Sequence, residues 1–97
     1  MPEFIGGLDS LISFMISNIN YPHWEKKNKI QGTIYVSFVI EKDGSVSHPE
    51  IIRTVKESID FDKEVLRVVK MMPNWKPGEN KMEKVAVKMT LPVKFTL

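Results

Sequence analysis

The 97-residue chain contains no cysteine, which excludes disulfides and thiolate metal sites. His23 and His48 are its two histidines, and neither has a partner at a metal-ligand spacing such as HxxxH. No apolar run reaches the roughly 18 residues that a membrane-spanning helix needs. No basic stretch followed by an apolar one reads as a signal peptide. Arginine is scarce, at Arg53 and Arg67, and arginine is the residue best shaped for phosphate recognition. Charge of one sign is lacking too. Fourteen basic residues face 12 acidic ones for a net +2, too small an excess to point to nucleic acid or an anionic membrane. The phosphate-cradle and nucleophile signatures GxxxxGKS/T, GxGxxG and GxSxG do not occur.

What is present is globular. The chain is 42% hydrophobic and 27% charged, a balance that folds rather than staying disordered. Its length predicts one small domain over 1–97, burying roughly 60–65% of its unfolded surface. That is enough for one modest core.

Periodicity lays out the elements. Leu8, Leu11, Ile12, Met15 and Ile19 repeat at helical spacing over Gly7 to Ile19, with Asp9 in the first turn. These apolar residues are expected to face the core. Asn18, Asn20 and Pro22 end the helix. Residues 23–29 read as loop or a short turn of helix. Ile30, Ile34, Val36, Phe38 and Ile40 then alternate with polar neighbours, and Asp43-Gly44 signals a hairpin turn with φ > 0. The return strand, Val46 to Arg53, contains Pro49, which suits an edge or a bulge. A second helix runs from about Phe61 to Met72. Phe61, Val65, Val68, Val69 and Met72 form its buried stripe, Asp60 is placed to cap it, and Pro73 stops it. Residues 74–81 read as a loop. The chain closes on VAVKMTLPVKFTL, residues 85–97, a strand with one apolar face.

The order is α-β-β-α-β. It predicts an α+β domain: a three-stranded antiparallel sheet with two helices on one face. The proline-free strand becomes central, and the strands carrying Pro49 and Pro92 become the two edges. An edge strand offers a row of unpaired backbone N–H and C=O groups.

No constellation for catalysis assembles. The histidines sit in polar loop or edge contexts and read as surface residues. Asp60, Asp62 and Glu64 are explained by the positive end of a helix. Lys26, Lys27 and Lys29 read as a solvated loop. Tyr35 is one exposed aromatic, and one aromatic is not a nucleic-acid platform. The methionines read as core filling. Trp75 reads as a plug at the end of the core, and Trp24 as packed against the first helix rather than as an exposed contact. The chain is therefore expected not to be an enzyme and to need no cofactor.

Several segments together resemble the carboxy-terminal domain of TonB-family proteins, in the version common in Bacteroidetes. They are PEFIGG at 2–7, NINYP at 18–22, IQGTIYVSFVI at 30–40 and KDGSV at 42–46. DKEVLRVVKMMPNWKPG at 62–78 and TLPVKF at 90–95 complete the set. The ordered set, with WKPG and the terminal LPVxF, covers nearly the whole chain. Asn20 stands where relatives often have Gln, Glu25 where they usually have Ala, and Ile5 where they usually have Pro.

The resemblance implies a periplasmic energy-transducing domain. It also implies that the chain is a fragment of a longer protein, anchored in the inner membrane and working there with a proton-driven motor complex. The partner implied is the TonB box of outer-membrane transporters, which adds as a strand beside the last strand of the domain. Carried onto this sequence, the partner-binding residues are Asn20, Tyr21 and Pro22 together with Val85, Ala86, Val87, Lys88, Met89, Thr90 and Leu91. Pro92 is expected to limit the ladder beyond them. Lys88 and Lys94 either guard the edge against self-association or attract acidic residues near the box. Two alternatives stay open: an interaction module of a membrane peptidase-type sensor, and a strand-paired homodimer.

Overall fold

The computed structural model describes all 97 residues. In chain order the helices are α1 (Gly7–Asn18), α2 (His23–Lys27) and α3 (Phe61–Lys70). The strands are β1 (Gly32–Ile40), β2 (Val46–Arg53), β3 (Gly78–Asn80), β4 (Glu83–Val85) and β5 (Val87–Phe95). No helix is long and apolar enough to cross a membrane.

The main sheet is antiparallel, in the order β2-β1-β5. The proline-free strand is central and both proline-bearing strands are edges, as the positions of Pro49 and Pro92 predict. The β1–β2 turn holds Gly44 at φ 88°, a left-handed value that a Cβ disfavours. Asp43 braces it by accepting from the Ser45 backbone N–H at 2.9 Å and hydroxyl at 2.6 Å.

The core lies between this sheet and α3. Phe61, Val65, Val68 and Val69 of α3 are buried, with Met72 just beyond it. They meet Ile34, Val36, Phe38 and Ile40 of β1 and Val93 and Phe95 of β5. Phe61 and Phe95 stack with ring centroids 4.0 Å apart. Trp75 does plug one end, edge-on to Phe4 at 5.3 Å.

Four expectations need correction. Residues 74–81 are not simply a loop, because β3 pairs with β4 across a tight turn. Its central residues, Lys81 and Met82, both take positive φ, 52° and 67°. A turn of this kind normally announces itself with Asn or Gly, and here neither residue does. The same hairpin takes Val85 out of the last strand.

Asp60 does not cap α3 with its side chain. The turn leading into α3 is held instead by Glu25 of α2, which is fully buried. Its Oε2 accepts from the backbone N–H groups of Ile59 at 2.8 Å and Asp60 at 2.7 Å, and from the Ser58 hydroxyl at 3.1 Å. The carboxylate sits where the helix dipole is positive, and Ser58 Oγ in turn accepts the Phe61 N–H at 3.0 Å.

Trp24 is exposed rather than packed on the first helix. It lies on the outer side of α2, because Glu25 takes the inward position.

The apolar stripe of α1 is only partly covered. Leu11 is buried and Met15 and Ile19 are half-buried, but Leu8 is 70% exposed and Ile12 48%. The helix lies at the margin of the sheet, so only a narrow side of it meets the core. Its attachment runs through Phe14 against Phe4, 5.6 Å between centroids, and through backbone hydrogen bonds that pair Glu3 with Lys76.

Candidate functional site at the free edge of the last strand

The two edges of the sheet differ. The β1–β2 register shifts twice, between Tyr35 and Val36 and between Ser37 and Val39. Near the second shift His48 takes φ 50° and Pro49 removes an N–H. Bulges and proline of this kind blunt an edge against pairing. β5 instead pairs with β1 in unbroken register, from Gly32 opposite Phe95 to Ile40 opposite Val87, and no strand lies on its other side.

Alternation then sorts the β5 side chains. Met89, Leu91, Val93 and Phe95 face the helices, while Lys88, Thr90, Pro92 and Lys94 are exposed on the other face. Neither lysine has a salt-bridge partner, and their cross-strand neighbours Val39 and Thr33 are uncharged.

A groove of about 540 Å³ runs beside this edge. One wall is α1, through Leu8, Ile12, Met15 and Ile16. The other is the continuous stretch Leu91–Thr96. Side chains of both β5 faces border the groove, so it opens onto the edge of the strand rather than onto one face.

Tyr21 closes one end. Its ring meets Phe61 and Phe95 edge-on, each at 5.7 Å, and its hydroxyl donates to the Ile30 carbonyl. Burial, and then the charge of Glu25, push the Tyr21 phenol above its ordinary pKa, so the hydroxyl keeps its proton and its donor role. The preceding chain is clamped onto α3. The Asn20 N–H donates to Glu64 Oε2 at 2.6 Å, and Arg67 Nη2 donates to the Asn18 carbonyl at 2.7 Å. Arg67 also holds Glu64 through two hydrogen bonds, at 2.8 and 2.7 Å. The Arg67 contact holds the Glu64 carboxyl below its ordinary range.

The structure distributes the sequence-predicted residues along the site as follows. Tyr21 borders the groove; Asn20 and Pro22 border an adjoining polar hollow with Asp60, Lys63, Glu64 and Arg67. Val87, Lys88, Met89, Thr90 and Leu91 lie on the free edge, toward the end away from Tyr21. Val85 pairs with Gly78 in the small hairpin, and Ala86 links it to β5. The sequence reading passed over Leu8, Ile12 and Ile16 and the stretch Val93–Thr96. The helical periodicity of Leu8 and Ile12 was visible, but it read as core, and Ile16 lay outside the stripe it defined.

No group of His, Asp and Glu is arranged to hold a metal ion. Ser47, His48 and Glu41 do meet on the surface, but both contacts of the ring use Nδ1, at 2.9 Å to Ser47 and 3.7 Å to Glu41. A relay needs the two ring nitrogens to face different partners.

Comparison with known proteins agrees with this architecture. The family described as Gram-negative bacterial TonB protein C-terminal matches residues 17–97. The solution NMR structure of the Pseudomonas aeruginosa TonB carboxy-terminal domain is 25% identical, with TM-score 0.65, covering 81% of this chain and 78% of that one. Two NMR structures of the Helicobacter pylori domain, at 20% and 18% identity, share the fold with TM-scores of 0.61 and 0.59. They cover 88% and 90% of this chain, and 75% and 89% of their own. No curated protein matches the chain significantly. With the family matched over most of its length, the chain belongs to the Gram-negative bacterial TonB carboxy-terminal family, as a TonB-type periplasmic domain.

Proposed function

We propose that this domain binds the TonB box of an outer-membrane transporter as an added strand along the free edge of β5, and so transmits work from the inner membrane. The observation that carries the reading is the contrast between the edges. β5 keeps nine residue pairs in unbroken register with β1 and has no outer partner, while β2 is bulged. Main-chain hydrogen bonds to such an edge give affinity, and pockets for alternate side chains give selectivity. Asn20, Tyr21, Pro22 and residues 85–91 are the contact set carried over from the family likeness. The groove adds the side chains of Pro92–Thr96 to it, beyond the point where Pro92 has no N–H to give a ladder.

The role is one of binding and force transfer rather than catalysis. In the full-length protein an inner-membrane anchor and a proton-driven motor complex would supply the energy.

A backbone-amide NMR titration with a TonB-box peptide from the same organism's transporters tests the reading. The expected result is a set of shifts concentrated on β5 and on Asn20–Tyr21. Absence of shifts at millimolar peptide, with the β5 amides already protected from exchange, would overturn it and favour a strand-paired dimer.

A further inference from the structure

The apolar face of α1 is the surface feature that the core leaves unexplained. Leu8 and Ile16 are 70% and 73% exposed, and Ile12 lies between them at 48%. They are spaced four residues apart, so they form a single ridge about 12 Å long. Leu8 and Leu11 also border a neighbouring cleft with Met89–Leu91, while Tyr21, just after α1, touches Phe95. The helix therefore follows β5 in the same direction. The family match begins at residue 17, so this ridge precedes it.

A strand added at β5 would lie about 4.8 Å beyond it, and its same-face side chains would recur every roughly 6.8 Å. A ridge of about 12 Å thus spans two to three of them, a segment of about five residues. The opposite face of the added strand would lie beside Lys88 and Lys94, which have no acidic partner. Nothing acidic occurs in β5 or in β1 behind it.

We propose that α1 is the apolar selectivity wall of the strand site: Leu8, Ile12 and Ile16 select branched apolar residues at alternate positions of an extended peptide, and Lys88 and Lys94 favour acidic residues between them. The proposal rests on strand addition at β5. It adds that discrimination by apolar side-chain size resides in α1 and discrimination by charge in Lys88 and Lys94, while the backbone edge supplies affinity that is indifferent to sequence.

The test uses the full chain and three nine-residue capped peptides that alternate Val with Glu, Ala with Glu, and Val with Lys. Binding is followed by backbone-amide and methyl NMR. The Val/Glu peptide is expected to shift the β5 amides together with the Leu8, Ile12 and Ile16 methyls. The other two are expected to bind about tenfold more weakly or worse. In a Leu8→Gln, Ile16→Gln variant both replaced side chains are already exposed and Gln keeps helix propensity. Its β5 shifts should persist, while the preference for Val over Ala falls to about twofold or less. An unchanged preference in that variant would overturn the role of α1 and leave strand addition standing. No β5 shifts with any peptide would overturn both readings. A concentration-dependent dimer, seen by sedimentation, that protects the β5 amides would overturn the proposal by making a second copy the occupant.

Discussion

Glu25 Oε2 accepts the backbone N–H of Asp60 at 2.7 Å, across 35 residues of sequence. One buried carboxylate thus joins α2 to the turn at Ser58–Asp60 that leads into α3. Burial pushes the Glu25 pKa up, but the N–H groups of Asp60 and Ile59 and the Ser58 hydroxyl outweigh it and hold the carboxyl below its ordinary value. This anchor therefore works as an anion.

Replacing this residue should be costly. Glu25→Ala leaves two part-buried N–H donors and a hydroxyl without their acceptor, and should destabilise the fold by about 2–3 kcal/mol. Glu25→Gln keeps one neutral acceptor and should cost less. Because the folded pKa lies below the unfolded one, the stabilisation is complete above the unfolded value, about pH 4.3. It is lost as pH falls through the folded value. Urea melts from pH 7 to pH 3 should show a shallower acid loss in Glu25→Gln than in the parent.

Asp60 behaves oppositely. Burial, then the charge of Glu25 beside it, raise its pKa. Its ionised form is disfavoured in the fold, so stability declines as pH rises from its unfolded pKa through its folded one. Asp60→Asn should raise the melting temperature at pH 7. A lowered melting temperature would overturn the unfavourable Asp60–Glu25 pairing, because Asn keeps the capping ability of Asp and no cap is lost in the exchange.

Glu64 ties the Asn18–Asn20 segment to α3. In Glu64→Gln the Arg67 contact loses its charge complement, and the hydrogen bond to the Asn20 N–H becomes neutral and weaker. Hydrogen exchange at Asn20 should accelerate well before global stability changes, because surface ion pairs contribute little to it. Exchange equal to the parent would show that Tyr21 packing alone fixes the segment.

Gly44 approaches Trp75 so closely that an added Cβ would lie 2.1 Å from the Trp75 carbonyl oxygen. The Trp75 N–H also donates to the Gly44 carbonyl at 2.7 Å. Gly44→Ala combines a left-handed φ with a backbone clash and should cost about 1–3 kcal/mol by chemical denaturation. The hairpin turn and the Trp75 plug should loosen together, reported by Trp75 fluorescence.

Local pattern was sufficient for much of this architecture. Alternation over Ile30–Ile40 and over residues 85–97, the Asp43-Gly44 turn and the 3.6-residue stripe of α3 are short-range signals. Each corresponds to an element in place, because a strand or helix buries the face its own sequence makes apolar. Pro49 and Pro92 also announced the edges, since a missing N–H is a property of the residue itself. Tertiary structure decided what depends on distant partners. Glu25 looked like a charge in a small residue's place until the N-terminus of α3 arrived beside it. Leu8 and Ile12 looked like core until α1 settled at the sheet margin, where their face borders a groove. The β3–β4 turn, formed by Lys81 and Met82, carried no composition signal. Periodicity names an element's apolar face; only packing decides whether that face is covered by the protein itself or left open.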